Sequence, residues 1–223
     1  YITSSISCLE SPSFSLAFLN AKDPRAINLM RKGVVQAGFK MQTMGYDLAK
    51  KLHLGADSLK NAPKTTVGKP SVKEQVIHFV NRPLPRHVPL QTARAMLGIE
   101  GDKHIPIIRN PELPEDTEAV FYFPGCGSER LFSQVGLATQ AMLWHVGVQT
   151  VLPPGYLCCG YPQNAHGDAD KADKMVTDNR VLFHRMANTL NYLDIKTVVV
   201  SCGTCYDALA EYRFEEIFPG CRI

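Results

Sequence analysis

The sequence contains no run of eighteen apolar residues, so nothing in it reads as a membrane-spanning helix. It also lacks a basic start followed by an apolar stretch. The chain opens YITSSISCLESP, which reads as having no secretion signal and places the protein in the cytoplasm. The opening residue is Tyr, so the sequence reads as a piece of a longer chain. A formal net charge of +3 is too small to argue for a nucleic-acid partner. No dinucleotide fingerprint is complete: Gly125-Cys126-Gly127 begins one, but Arg130 stands where its third glycine belongs. Val67-Gly68-Lys69-Pro70-Ser71 lacks the earlier glycine of a phosphate loop and puts proline after the lysine. No Ser/His/acid constellation follows from the order of residues. There is no internal repeat and no low-complexity tract.

Against these absences, cysteine stands out. There are 7 in 223 residues, namely Cys8, Cys126, Cys158, Cys159, Cys202, Cys205 and Cys221. An odd number without a secretion signal argues against a disulfide scaffold. Thiols kept reduced serve more often as metal ligands, reactive groups or small buried hydrophobes. Six of them follow residue 118, so the two halves of the chain differ in purpose.

Residues 1–117 hold 16 Lys and Arg against 10 Asp and Glu, a net of +6, and the remainder carries a net of −3. The first half reads as mostly helical. Pro24 opens a helix through Ile27, Leu29, Met30, Val34 and Val35, and Met41, Met44, Leu48 and Leu52 continue its apolar stripe. Gly33, Gly38, Gly45 and Gly55 read as breaks or close-packing points. Residues 61–70 read as a loop, 76–80 as a short strand, 91–99 as a short helix and 105–117 as a Pro-rich linker. The basic surplus is expected to coat the outer faces of these helices. Docking on an acidic partner, or on the inner face of a membrane as a peripheral protein, is the alternative use.

From residue 119 the pattern becomes regular. AVFYF (119–123), VQTVL (148–152) and TVVV (197–200) read as strands. Helices are expected over 130–146, 169–192 and 205–213. The first should turn Leu131, Phe132, Val135, Ala138, Met142 and Val146 inward, and the second Met175, Val176, Val181, Leu182, Met186 and Leu190. FPGCRI reads as a turn and the opening of a fourth strand, cut off by the chain end. Alternating strands and helices imply an α/β fold, a small parallel sheet with helices on both faces. The expected division is a helical segment over 1–117 and a cysteine-rich domain over 118–223.

Registered on that pattern, Cys126 follows the first strand, Cys158 and Cys159 the second, and Cys202 and Cys205 the third. All five fall beyond carboxyl ends of parallel strands, the edge where open α/β sheets bind ligands and where helix amino termini offer N–H groups. Such surroundings stabilise anionic sulfur. Five thiolates suit a soft metal. Zinc needs four, whereas the adjacent Cys158 and Cys159 more easily reach different atoms of an iron–sulfur cluster. Gly125, Gly127, Gly160 and Gly203 flank the cysteines and let the backbone approach a ligand closely. A zinc-bound docking module, or a thiol–disulfide site without metal, remains open on these grounds. Cys8 and Cys221 read as structural. His166, in the loop after Cys159, is a weak catalytic candidate for moving protons. Tyr156, Tyr161 and Tyr206 flank the thiols and could shield a cluster from water. His145 and His184 read as surface or packing histidines, and Trp144 as core.

The order Cys126, 31 residues, Cys158-Cys159-Gly160, 41 residues, Cys202-Gly203-Thr204-Cys205 resembles the cysteine-rich CCG domain. That domain occurs in heterodisulfide reductase B subunits, glycolate oxidase iron–sulfur subunits and lactate-utilisation proteins, and the likeness covers about 118–223. FYFPGCGSERLFSQVGLATQ, PPGYLCCGYPQ and VVSCGTCYD look like the C-terminal end of a large bacterial fused protein. In it an FAD-linked oxidase domain precedes a ferredoxin-like module and a CCG domain. The resemblance implies a Rossmann-like domain that transfers electrons in a flavin-linked oxidoreductase acting on a 2-hydroxy acid such as lactate or glycolate. It implies a 4Fe–4S cluster, noncubane in the heterodisulfide reductase case, held by Cys126, Cys158, Cys159, Cys202 and Cys205. FAD and the ferredoxin-like partner would lie outside this sequence. Only one CCG motif is present and the second gap is longer than usual in the family, which leaves the cluster type open.

Overall fold

The computed structural model describes residues 12–51 and 89–223. The readings on Cys8, Leu52, Gly55, the 61–70 loop and the 76–80 strand lie outside them.

α1 spans Pro12–Asn20 and α2 spans Pro24–Arg31. α2 starts as its sequence demands: Asp23 caps it by accepting from the N–H groups of Arg25 and Ala26, and Pro24 occupies the first turn. The chain then winds through a wider π-helical stretch, Lys32–Ala37, into α3, Gly38–Lys51. Gly33, Gly38 and Gly45 therefore do not break the helical path. Only part of the apolar stripe packs inward: Ile27 is buried with Met30 against it, whereas Leu29, Met41, Met44 and Leu48 are exposed. A short α4, Ala93–Leu97, is capped by Thr92 and stopped by Gly98 at a φ of 69°.

β1 is Ile107–Ile108, β2 is Ala119–Phe123, β3 is Gln149–Val151 and β4 is Ile195–Val200. The sheet order is β1-β3-β2-β4. β2 runs parallel to both neighbours, with Phe121 opposite Val151 on one side and Val198 on the other. The segment read as a linker contributes β1, which pairs antiparallel with β3 and closes that edge. Beyond β4, Arg222 bridges in parallel to Thr197, the start of the expected fourth strand.

β2 is buried along its whole length, and its side chains alternate between two cores. Ala119, Phe121 and Phe123 join one cluster with Phe183, Met186 and Leu190 of α7 (Ala169–Thr189), Leu209 of α8 (Gly203–Ala210), and Phe214 and Ile217 of α9 (Phe214–Ile217). Phe183 is its hub: its ring meets Phe121 edge-on at 5.0 Å and stacks on Phe214 at 5.9 Å. Tyr122 lies on the opposite face with Ala93 and Arg94 of α4 and with Gly136 and Gln140 of α5, Ser133–Val146. Helices therefore cover both faces. Phe183→Ala should destabilise the protein by about 3–5 kcal/mol, a deleted aromatic in a packed core, and a urea melt measures it.

Two helix faces differ from expectation. α5 buries Ser133, Gly136 and Gln140, while Val135, Met142 and Val146 are 40%, 68% and 74% exposed. The reason is close approach. A Cβ on Gly136 would stand 2.7 Å from the Ser128 carbonyl oxygen and 3.3 Å from the Ala93 Cβ, so only small residues fit inward there. Trp144, on the same helix, is likewise an exposed residue rather than core. On α7, Phe183 takes the central place and Val181 faces outward.

The basic surplus is not all on the surface. Arg31 and Arg94 are fully buried. Arg31 donates to the carbonyls of Arg130, Leu131 and Pro89 and to Ser133 Oγ, fastening α2 to the loop that follows β2.

Candidate functional site

Adjacent strands β2 and β4 are followed by helices on opposite faces of the sheet. Their carboxyl ends thus flank the crevice where open α/β sheets place ligands. Cys126 lies just past β2, before a π-helical turn, Gly127–Leu131. Cys158 and Cys159 lie beyond β3, just before α6, Tyr161–Ala165. Cys202 caps α8 and Cys205 is in its first turn, two residues earlier than the expected helix start.

The five sulfurs form a line. Cys126 and Cys158 are 3.7 Å apart, Cys159 and Cys205 are 3.6 Å apart, and Cys158 adjoins Cys159 in sequence. Cys202 completes the line through its hydrogen bond with Cys205. All are free thiols. The separations far exceed a disulfide bond of about 2.05 Å. They match the spacing of about 3.8 Å between two thiolates on one tetrahedral metal with bonds of about 2.3 Å. Among the described residues, no three His, Cys, Asp or Glu side chains gather round one point to hold a single ion.

Charge is unevenly spread along the line. Hydrogen bonds from Cys126 and Cys159, with help from the Gly160 N–H and Arg130, hold Cys158 well below the ordinary thiol range against its burial. The shared bond with Cys158 and then burial push Cys126 well above it. The bond with Cys158 and burial raise Cys159 to about 12, and bonds with Cys159 and Cys202 raise Cys205. Cys202 falls to about 5, held by Cys205, by Thr204 Oγ1 at 3.1 Å and by the N–H groups of Thr204 and Cys205. Cys202 is also the least buried of the five. In metal-free protein, Cys202 should therefore alkylate first. Its rate should climb as pH rises through about 5 and be flat by pH 8, whereas an ordinary thiol is still climbing there. Peptide mapping after iodoacetamide checks both the site and the profile.

Glycine is required at two positions here. Gly125 has a φ of 66°, and a Cβ on it would stand 2.6 Å from the Cys205 sulfur. Gly160 has a φ of 92°, and its Cβ would press on the Ala172 carbonyl of α7. Gly127 and Gly203 have open space where a Cβ would be and ordinary φ values. His166 is exposed at the end of α6, and among the described residues its imidazole makes no hydrogen bond to the thiols. Tyr156 is buried, whereas Tyr161 and Tyr206 are exposed, so Tyr156 alone of the three is sealed from water. Cys221 is buried in the Phe183 core, next to Arg222 at the amino end of β4 and hence at the far edge of the sheet.

Sequence reasoning missed the groups that hold the cysteine backbone. Asn179 of α7 donates to the Cys158 carbonyl at 2.8 Å and to Tyr212 Oη at 3.1 Å, and Tyr212 donates to the Cys159 carbonyl at 3.0 Å. The apolar stripe on α7 gave one signal: Asn179 interrupts its buried side, where a polar residue needs partners.

A parallel α/β sheet with five free thiols on the ligand-binding edge defines a cysteine-rich domain built to present sulfur. Residues 120–210 match the family described as CCG, a cysteine-rich domain. A probable glycolate oxidase iron-sulfur subunit of Bacillus subtilis (strain 168) is 28% identical over 135 residues, covering 59% of this chain and 28% of the relative. Lactate utilization protein A of Exiguobacterium is 29% identical over 93 residues, or 42% of this chain and 35% of the relative. An uncharacterized iron-sulfur protein of Methanocaldococcus jannaschii is 31% identical over 100 residues, 43% of this chain and 19% of the relative. The chain thus spans between 19% and 35% of the length of these relatives. No solved structure matches it.

Proposed function

We propose that this chain is an electron-transfer module of an oxidoreductase, and that Cys126, Cys158, Cys159, Cys202 and Cys205 hold an iron–sulfur cluster in it. The observation that carries the reading is the line of five free thiols at the switch point, two of its pairs at 3.6 and 3.7 Å. The names of two relatives, an iron-sulfur subunit and an uncharacterized iron-sulfur protein, support it.

A cluster of the 4Fe–4S class, cubane or noncubane, would supply one-electron storage. The chain's own residues do the rest. Thiolate character at Cys158 and Cys202 starts ligation, and the remaining thiols lose protons as metal binds, so loading strengthens as pH rises. The N–H groups of Gly160, Tyr161, Thr204 and Cys205 point to ligand sulfurs and stabilise their charge. Tyr156 and Leu157 exclude water. Electrons would arrive from an FAD-binding domain through a ferredoxin-like module, both elsewhere in the full protein. The relatives' names point to glycolate or lactate, 2-hydroxy acids, as the ultimate donor. Reduced thiols suit the cytoplasm. Among the described residues no helix is long and apolar enough to cross a membrane.

The test is iron, zinc and acid-labile sulfide on anaerobically reconstituted protein, with EPR of the same sample. About four irons and four sulfides per chain are expected. One tightly held zinc with no iron taken up would overturn the reading and leave a structural module.

A further inference from the structure

Arg130 is the strongest feature that the ligand assignment leaves unused. Its side chain is 1% exposed. Nη1 donates to the carbonyls of Phe18, at 2.8 Å, and Leu19, at the end of α1. The guanidinium lies over the Tyr156 ring, 5.5 Å from its centroid. Yet Nε is buried with no hydrogen-bond partner, and among the described residues no carboxylate stands within ion-pair distance. The buried acid nearest in sequence, Glu129, is committed to Arg94. Among the described residues, Arg31, Arg94 and Arg130 are thus three buried cations served by one buried carboxylate.

A buried guanidinium without an anion is costly, so the fold must supply one. Arg130 shares a cleft with Cys158, and its charge acts on both Cys158 and Cys126. Among the described residues, Cys126 acts on its charge more strongly than Glu129, which is already paired with Arg94, and Cys158 adds to it. Arg130 cannot be a ligand itself, since guanidinium has no lone pair to give at neutral pH.

We propose that Arg130 is a positioning residue whose fixed positive charge, set beside the Cys126–Cys158 pair, raises the reduction potential of the group those thiols hold. The inference rests on the reading of the thiols as iron–sulfur ligands. Reduction adds one electron from an outside one-electron donor, with no bond made or broken, so the site becomes more negative by one charge. A neighbouring cation stabilises the reduced form more than the oxidised one, and burial keeps that preference from being screened.

The experiment is a redox titration of the full chain, loaded with iron and sulfide, with dithionite as reductant and EPR as readout. Arg130→Gln should lower the reduction equilibrium constant about tenfold, which is about 59 mV for a one-electron couple. Arg130→Lys, which keeps the charge, should restore most of the potential. Arg31→Gln serves as the control: Arg31 is equally buried and its Nε is likewise unpartnered, but its charge acts on Tyr156 whereas that of Arg130 acts on Cys126 and Cys158, so its loss should weaken stability and leave the potential in place. Wild-type potential in loaded Arg130→Gln would overturn the proposal. If Arg130→Gln takes up too little iron to titrate, uptake by Arg130→Lys decides. Recovery with lysine supports a charge role, and equal failure shows that the side chain acts only through its shape and hydrogen bonds. Failure of the wild-type chain to take up iron at all would instead strike the ligand assignment.

Discussion

Serine at Cys158 or Cys202 should abolish iron and sulfide uptake, while Cys221→Ser should leave it intact. Cys158 sits in the middle of the sulfur line, bonded to Cys126 on one side and adjoining Cys159 on the other, so its loss divides the donor set. Cys202 ends the line as its most accessible thiolate, the sulfur an incoming metal meets first. A serine hydroxyl at either place stays protonated at neutral pH and is a poor partner for a soft metal. Cys221 packs in the Phe183 core at the opposite edge of the sheet, where serine costs stability but removes no donor. Iron and sulfide per chain after anaerobic reconstitution decide it. Wild-type iron in both Cys158→Ser and Cys202→Ser would refute the assignment of those ligands.

The second large effect is on stability. Glu129→Ala should cost about 3–5 kcal/mol, because it strands the buried Arg94 beside two further buried arginines. Arg94 Nε donates to Glu129 Oε1, and Nη2 donates to the Pro153 carbonyl at 2.7 Å, so the ion pair ties the loop after β2 to the loop after β3. Replacing both partners, as Arg94→Met with Glu129→Leu, should cost much less than Glu129→Ala, since no charge is left unpaired. Urea melts of the metal-free proteins give the comparison, and a Glu129→Ala loss below about 1 kcal/mol would contradict the account.

The three parallel strands and the position of all five clustered cysteines were legible because each strand is a nearly unbroken apolar run and the cysteines fall in the segments that follow those runs. The inward face of α5 was not. Its apolar residues form a regular helical stripe, but the contact with Ser128 and Ala93 admits only Gly136 and small neighbours, and that demand belongs to the other side of the interface. β1 was hidden among prolines, being only two residues long and held by its pairing to β3. Arg31 and Arg94 were read as surface charge because sequence shows a cation and not its partners. Arg31 donates from both Nη groups, and Arg130 from Nη1, to backbone carbonyls distant in the chain, which no local pattern announces. Asn179 and Tyr212 went unassigned for the same reason: their partners are the carbonyls of the cysteines, not the thiols.

The parallel pairing of β2 with β4 has a kinetic consequence. It joins segments more than seventy positions apart, and only after it forms do Cys126 and Cys205 belong to the same neighbourhood. Long-range parallel pairing is slow, because loop closure precedes any reward from contacts. A newly made chain therefore spends time with its sulfurs in separate groups: the vicinal Cys158 and Cys159 in one, Cys202 and Cys205 in another. In that interval each pair is a target for oxidation rather than a scaffold for metal. On the proposed reading of the thiols, maturation would be a race between strand pairing and thiol damage.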